Sequence, residues 1–244
     1  MTRRRIGVVG GVGPAATVLY YRLLIERAKA IAPASGPLEI VIDSLDLDEI
    51  TGMFRDRALD RLGSRLSRAL VALESAGCDS IAIACNSMHL AFSLAAPAVK
   101  VPVISIVDAV LDATTLGGYR SVGLLATTFV MQSRLYRDPL EARGVRCVEP
   151  SEAEQAWIMA AILEDLQRAT VPAATVERFV AIVADLARHG AEAVILGCTD
   201  LPVAISDANS PLPVLDTARI HVDAVLTAGL PSGIPVKLQL VTPS

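Results

Sequence analysis

The chain has 244 residues, 52% of them apolar and 20% charged, with a formal net charge of −4. This composition supports one large or two small packed cores and excludes a disordered chain, and the mild acidity gives no electrostatic footing for nucleic acid or an anionic membrane. No apolar run approaches the ~20 residues that span a bilayer, and the run after Arg3-Arg4-Arg5 breaks at once into Gly10-Gly11, so no signal peptide is expected and a cytoplasmic location is.

In chain order, short β-branched runs alternate with longer helical patterns. The expected strands are Ile6–Val9, Leu38–Ile42, Ser80–Ala84, Pro102–Ile104, Val122–Leu125, Val145–Val148, Ala193–Leu196 and Pro213–Leu215. Several are almost wholly apolar, as strands of a parallel sheet covered on both faces should be. The clearest helix runs from Ala174 to His189, where Val176, Phe179, Val180, Val183 and Leu186 recur at helical spacing between Pro172 and Gly190. A last helix is expected from Thr217 to Ala228. Strand alternating with helix predicts an α/β protein with mainly parallel sheets.

The chain also repeats itself. Gly77-Cys78-Asp79-Ser80-Ile81-Ala82-Ile83-Ala84-Cys85 matches Gly190-Ala191-Glu192-Ala193-Val194-Ile195-Leu196-Gly197-Cys198 at an offset of 113 (198 − 85). Pro102-Val103-Ile104 matches Pro213-Val214-Leu215 at 111 (213 − 102), and Ile6-Gly7-Val8-Val9-Gly10 matches Val122-Gly123-Leu124-Leu125-Ala126 at 116 (122 − 6). Three ordered matches at nearly one offset are too widely spaced for a solenoid and predict two α/β domains of one design facing each other. Thr114 to Tyr119 is the natural boundary. The expected division is a first domain of residues 1–113 and 217–244, carrying Cys85, and a second of 114–216, carrying Cys198.

The chemistry points to cysteine. Of Cys78, Cys85, Cys147 and Cys198, none forms a C-x-x-C pair, and in a cytosolic protein all four read as free thiols. Cys85 and His89 stand one helical turn apart, but no second set of paired ligands accompanies them, so no metal is expected. Cys78 and Cys147 read as small buried hydrophobes. Cys85 and Cys198 differ: each ends an apolar strand and opens a polar turn, Cys85-Asn86-Ser87 and Cys198-Thr199-Asp200. In α/β sheets ligands bind beyond the C-terminal strand ends, where a following helix N-terminus favours anions and thiolates. Two such turns, one on each side of a substrate carbon, are what a two-base proton transfer needs: one thiolate removes the Cα proton and the opposite thiol returns one. The ~8.5 reference pKa of cysteine suits that exchange of roles.

Four segments carry a resemblance along nearly the whole chain: Ile6 to Pro14, Ile83-Ala84-Cys85-Asn86-Ser87-Met88-His89, Val122 to Thr127, and Val194-Ile195-Leu196-Gly197-Cys198-Thr199-Asp200-Leu201-Pro202. In these the sequence resembles the aspartate/glutamate racemase family. The resemblance implies two pseudo-symmetric α/β domains with the site in the cleft between them, and racemisation of an acidic amino acid, aspartate or glutamate, without pyridoxal phosphate, metal or other cofactor. It implies that Cys85 works on the Cα proton of the D enantiomer and Cys198 on that of the L enantiomer, and that the enzyme is a homodimer. Gly11, Asn86, Ser87, Thr127, Thr128 and Thr199 match substrate-binding positions. The chain departs from the family pattern at Val12, at Asp200, and at Val130, where a threonine hydroxyl is replaced. Arg55 or Arg57 is the candidate for holding a distal carboxylate, in a stretch without the clear arginine motif of some members.

Other features weigh less. Gly11-Val12-Gly13-Pro14-Ala15-Ala16 reads as a dinucleotide fingerprint, but Asp43 lies 32 residues on (43 − 11), beyond the usual ~20. The turn is therefore expected to wall the substrate site. His89 and His221 are expected to be satisfied within the fold, His189 to serve a helix end, and Asp216 to cap a helix. The competing functions are a one-thiol isomerase or decarboxylase of a small dicarboxylate (of maleate isomerase or arylmalonate decarboxylase type), an NAD-dependent oxidoreductase, and a non-catalytic amino-acid-binding protein.

Overall fold

The structure, a computed structural model, describes residues 4–31, 38–166 and 170–228. The chain folds as two compact units, the first running to Ala109 and resuming at Ala218, the second running from Val110 to Thr217.

The first unit is built on β1 (Arg4–Gly10), β2 (Leu38–Ser44), β3 (Ser80–Ile83) and β4 (Val103–Ile104), all parallel and in the order β2-β1-β3-β4. Side-chain alternation along the strands separates two apolar layers. Ile6, Val8, Ala82 and Ala84 pack under Tyr20, Leu23 and Leu24 of α1 (Pro14–Ile31) and under Ala218, Val222, Val225 and Leu226 of the last helix, α10 (Thr217–Thr227). Val9, Ile81 and Ile83 face the other way, against α2 (Leu47–Arg55) and α3 (Leu59–Ser75). The last helix thus covers the first sheet, and an ion pair between Arg27 and Asp223 pins it to α1. The 3-10 turn Ser87–Ala91 and the single α-turn α4 (Phe92–Ala95) complete this unit ahead of α5 (Ile106–Leu116), whose first four residues belong to it.

The second unit repeats the plan. Its strands β5 (Ser121–Ala126), β6 (Arg146–Val148), β7 (Ala193–Gly197) and β8 (Val214–Asp216) are parallel in the order β6-β5-β7-β8, the same permutation as the first sheet. Short α6 (Thr128–Gln132) and α7 (Arg137–Ala142) follow β5, while α8 (Glu152–Glu164) and α9 (Ala173–Arg188) cover Leu125, Val194 and Leu196. All eight expected strands are present, and α9 lies within one residue of its expected ends. The offsets of the sequence repeat carry over into the pairing register. Ile6 stands opposite Ser80 as Val122 stands opposite Ala193, and Ile81 opposite Val103 as Val194 opposite Val214. Gly77 and Gly190 are equivalent too. Each closes a long helix in the left-handed region, at φ 78° and 91°, with the following amide reaching back to the last turn, Cys78 N–H to Leu73 O and Ala191 N–H to Leu186 O. Glycine meets that requirement without a Cβ penalty.

Among the described residues no helix is long and apolar enough to cross a membrane.

Candidate active site

A strand order of 2-1-3-4 has its switch point between the first and third strands, where connections leave in opposite directions and open a crevice at the C-terminal edge. In the first unit that edge carries Gly11 and Cys85. Val9 and Ile83 are paired across the sheet, and each of the two site residues lies two positions beyond that pair. In the second unit Ala126 and Gly197 are the last pair, and Thr127 and Cys198 follow immediately. The expected residues therefore assemble in two groups, Gly11, Cys85, Asn86 and Ser87 in one unit and Thr127, Thr128, Cys198 and Thr199 in the other.

The four cysteines, all outside any disulfide, separate as expected by environment. Cys78 and Cys147 are buried, and burial pushes both thiols up, Cys147 to about 12. They stay protonated and inert at neutral pH. Cys85 and Cys198 are half-buried, each with its strand's alternation turning it onto the face shared by Ile81 and Ile83 or by Val194 and Leu196.

The expectation of a full helix after each cysteine needs correction. Cys85 leads into the five-residue 3-10 turn Ser87–Ala91, and Cys198 into the three-residue turn Leu201–Val203. Segments this short align too few peptide dipoles to act as a macrodipole. Proline explains the second case: Pro202 sits in the first turn, followed by Leu201–Ala204 and Leu201–Ile205 bonds that close the segment. Turn amides and neighbouring hydroxyls, not a long helix, are left as the polar surroundings of either thiol.

The polar neighbours differ between the units. Asn86 and Ser87 are only 3% and 8% exposed, so their polar groups are built into the first turn, whereas Thr199 and Asp200 are half-buried. Thr127 caps α6, its hydroxyl oxygen accepting the Val130 N–H at 3.4 Å, and Thr128 begins that helix. Val130 is fully buried and Met131 is 2% exposed, so the Val130 departure lies in the core and not on a solvent-facing pocket wall. Its missing hydroxyl leaves the substrate question untouched.

Gly11 has a structural reason for being glycine. Its φ is +85°, and a Cβ there would lie 2.0 Å from the Leu45 carbonyl oxygen. Its own N–H is donated to the Thr17 hydroxyl at 2.8 Å, and Leu45 N–H closes the turn onto Gly10 O. This binds the β1–α1 turn to the start of α2, whose N-cap Asp46 accepts the Glu49 amide. Arg55 and Arg57 are both exposed at the far end of α2. Arg57 holds a left-handed φ of 53° where the chain closes the helix, Arg57 N–H to Phe54 O and Ala58 N–H to Met53 O.

A set of residues that the sequence did not join surrounds the first turn. His89 Nδ1 is 2.9 Å from Cys85 O, and its Nε2 accepts the Ile106 N–H at 3.1 Å. His221 Nε2 meets Ile104 O at 2.9 Å, and its Nδ1 meets the Tyr20 hydroxyl at 2.8 Å. Burial lowers both rings, His89 to about 4 and His221 to about 3, so both are neutral at pH 7. Only the four-residue spacing of Cys85 and His89 hinted at this in the sequence. Among the described residues no group of three or more His, Cys, Asp or Glu side chains gathers as a metal site.

The Asp/Glu/hydantoin racemase family profile matches residues 9–225. The "Broad specificity amino-acid racemase RacX" of Bacillus subtilis (strain 168) is 24% identical over 220 residues, covering 87% of this chain and 92% of that protein. An aspartate racemase homologue from Pyrococcus horikoshii OT3 is 32% identical with a TM-score of 0.75, covering 91% of this chain and 97% of that one. The aspartate racemase of Picrophilus torridus, at 23% identity, shares the fold with a TM-score of 0.75 over 98% of both chains. With a family match over most of its length and two sheets of the same order, each ending a strand in a cysteine, the chain belongs to the Asp/Glu/hydantoin racemase family and is an isomerase, an amino-acid racemase.

Proposed function

We propose that the protein racemises an acidic amino acid, aspartate or glutamate, by two-base proton transfer at Cα between Cys85 and Cys198. The observation that carries this reading is the equivalence of the two cysteines: each stands at the switch-point strand end of a sheet with the same strand order, on the same relative face. One enters the cycle as thiolate and takes the Cα proton, becoming a thiol and leaving the electron pair on Cα. The other, a thiol, gives a proton to the opposite face and becomes the thiolate. Atoms and charge balance with no cofactor, and the enzyme ends in the mirror protonation state, ready for the reverse direction. In this reading the first domain, with Cys85, and the second, with Cys198, each contribute one base. Asn86, Ser87, Thr127, Thr128 and Thr199 supply donors to the α-carboxylate and acceptors to the ammonium, while Gly11 shapes the wall. Electrostatic help of this kind has to be preorganised to count.

A second reading of specificity has its own support. Arg55 and Arg57, the candidate anchors for a distal carboxylate, are both exposed, and a B. subtilis relative carries a broad-specificity description. The test is proton NMR of single L and D amino acids in D2O. Cα exchange with inversion for aspartate or glutamate, lost in Cys85→Ala and Cys198→Ala, is the expected result. Equal turnover of neutral amino acids selects broad specificity. No exchange with any amino acid, together with an adduct of Cys85 with maleate by mass spectrometry, overturns the two-base reading in favour of a one-thiol isomerase. Light scattering of the same samples checks the expected homodimer.

A further inference from the structure

We infer that His89 is the positioning residue of Cys85, holding the backbone of that thiol from below while its other ring nitrogen grips the start of the next helix. The inference rests on Cys85 acting as one of the two Cα acid/bases, and it concerns that half of the reaction alone.

The hydrogen-bond pattern leaves one tautomer. The Ile106 amide can only donate, so His89 Nε2, 3.1 Å away, must present a lone pair. The proton of the neutral ring is then on Nδ1, which donates to the Cys85 carbonyl at 2.9 Å. The second histidine is determined in the same way. The Ile104 carbonyl can only accept, so His221 Nε2 carries the proton, and Nδ1 accepts the Tyr20 hydroxyl. The two rings meet edge to face with centroids 6.0 Å apart. Between them they bracket the junction of β4 and α5, one holding the carbonyl of Ile104 and the other the N–H of Ile106. Burial that keeps both rings neutral keeps all four bonds in place at neutral pH.

The Cys85 turn needs such a hold. Beyond Ala84, whose N–H still bonds Val9 O, the strand ladder has ended, and the segment that follows is a 3-10 turn with little internal hydrogen bonding. Proton transfer at carbon tolerates little displacement, since an error near 1 Å costs about 10²-fold. The second unit has no counterpart. Pro202 occupies the position 113 residues after His89 (202 − 89), and the strand end there is tied instead by the Thr217 hydroxyl to Leu196 O at 2.8 Å. The device is one-sided, so its removal should disturb Cys85 and spare Cys198.

The experiment compares His89→Leu, which removes both bonds, with His89→Gln, whose side-chain amide offers one donor and one acceptor. Alkylation by iodoacetamide is followed thiol by thiol by peptide mass spectrometry. In His89→Leu, Cys85 is expected to react at least about threefold faster as its turn loosens, with Cys198 unchanged and the buried Cys78 and Cys147 still slow, which reports an intact fold. In His89→Gln the rate returns toward wild type. Racemisation is expected to slow about tenfold or more in kcat for His89→Leu, with KM within about twofold. The deuterium isotope effect should rise for the Cα-deuterated enantiomer that Cys85 deprotonates and fall for the other, a split that general loosening does not produce. An unchanged Cys85 rate in a folded His89→Leu protein, or equal changes at Cys85 and Cys198, overturns the inference. If His89→Leu exposes Cys78 and Cys147, His89→Gln decides: wild-type behaviour there supports positioning, and loss with an intact fold overturns it. Should Cys85 alkylation respond as expected in a protein that exchanges no Cα proton, the positioning survives and the acid/base role of Cys85 falls.

Discussion

The two cysteine turns occupy the same place in the same topology, yet they are held differently. Around Cys85 every following residue to His89 is buried, and the turn is buckled to the β4–α5 junction by a neutral histidine. Around Cys198 the following residues are half-buried, and the support is a proline-stiffened 3-10 turn with one threonine hydroxyl on the strand end. The turns beside them differ likewise. Gly11, left-handed and wedged against Leu45, corresponds at the 116 offset (127 − 11) to Thr127, an extended N-cap. The lesson is that a repeat preserves the address of a reacting group more faithfully than the means of holding it. A symmetric reaction requires two thiols at matching strand ends, but each half can satisfy its backbone with local means.

The comparison can be broken most forcefully at the thiols. Cys85→Ala and Cys198→Ala should each lower kcat for racemisation about 10³-fold or more, measured by circular dichroism of the substrate. Cys78→Ala should leave kcat within about twofold, because that thiol is buried away from the strand end. A large loss in only one of the two active-turn variants would make the halves chemically unequal.

Next comes the glycine turn. Gly11→Ala places a Cβ against the Leu45 carbonyl and a left-handed φ on an L-residue, and should destabilise by about 3 kcal/mol in urea unfolding. Thr127→Ala, at the equivalent address, should cost only about 1 kcal/mol as a lost cap. Equal costs would mean that the two turns are more alike than their backbones show.

The histidines sharpen the contrast through pH. An unfolded chain protonates its histidines near 6.5, while the folded protein holds His89 neutral to about 4 and His221 to about 3. Between those limits the unfolded state binds more protons, so stability is fully present above about pH 6.5 and falls as pH drops. Replacing His221 by phenylalanine removes one such group, and from pH 6.5 to about pH 5 the variant should lose roughly 2 kcal/mol less than wild type, read from urea midpoints. Identical pH dependence would show that His221 is not held neutral.

The smallest effect concerns Arg57. Arg57→Gly relieves a left-handed non-glycine and should stabilise by up to about 1 kcal/mol. If Arg57 holds the distal carboxylate, KM for aspartate or glutamate rises while KM for a neutral amino acid does not. Unchanged KM values for all of them shift that role to Arg55 or remove it.

Much was legible in the sequence because its cues act over short range. Apolar runs of four to seven residues marked every strand, since a parallel strand buried on both faces has no polar positions to spare. Gly77 and Gly190 marked helix ends by a conformation that other residues avoid. The repeat offsets carried the pairing register of both sheets and the address of both thiols. Tertiary structure decided what pattern could not. Val130 looked like a pocket residue by its neighbours and lies in the core, because α6 turns that side inward. The helices expected after the cysteines shrank to single turns. The ring that steadies Cys85 depends on an amide 17 residues away, and its partner His221 on a carbonyl 117 and a hydroxyl 201 residues away. Hydrogen bonds of that range leave no periodicity behind. They exist only because packing brings buried donors and acceptors together and leaves each with no solvent to turn to.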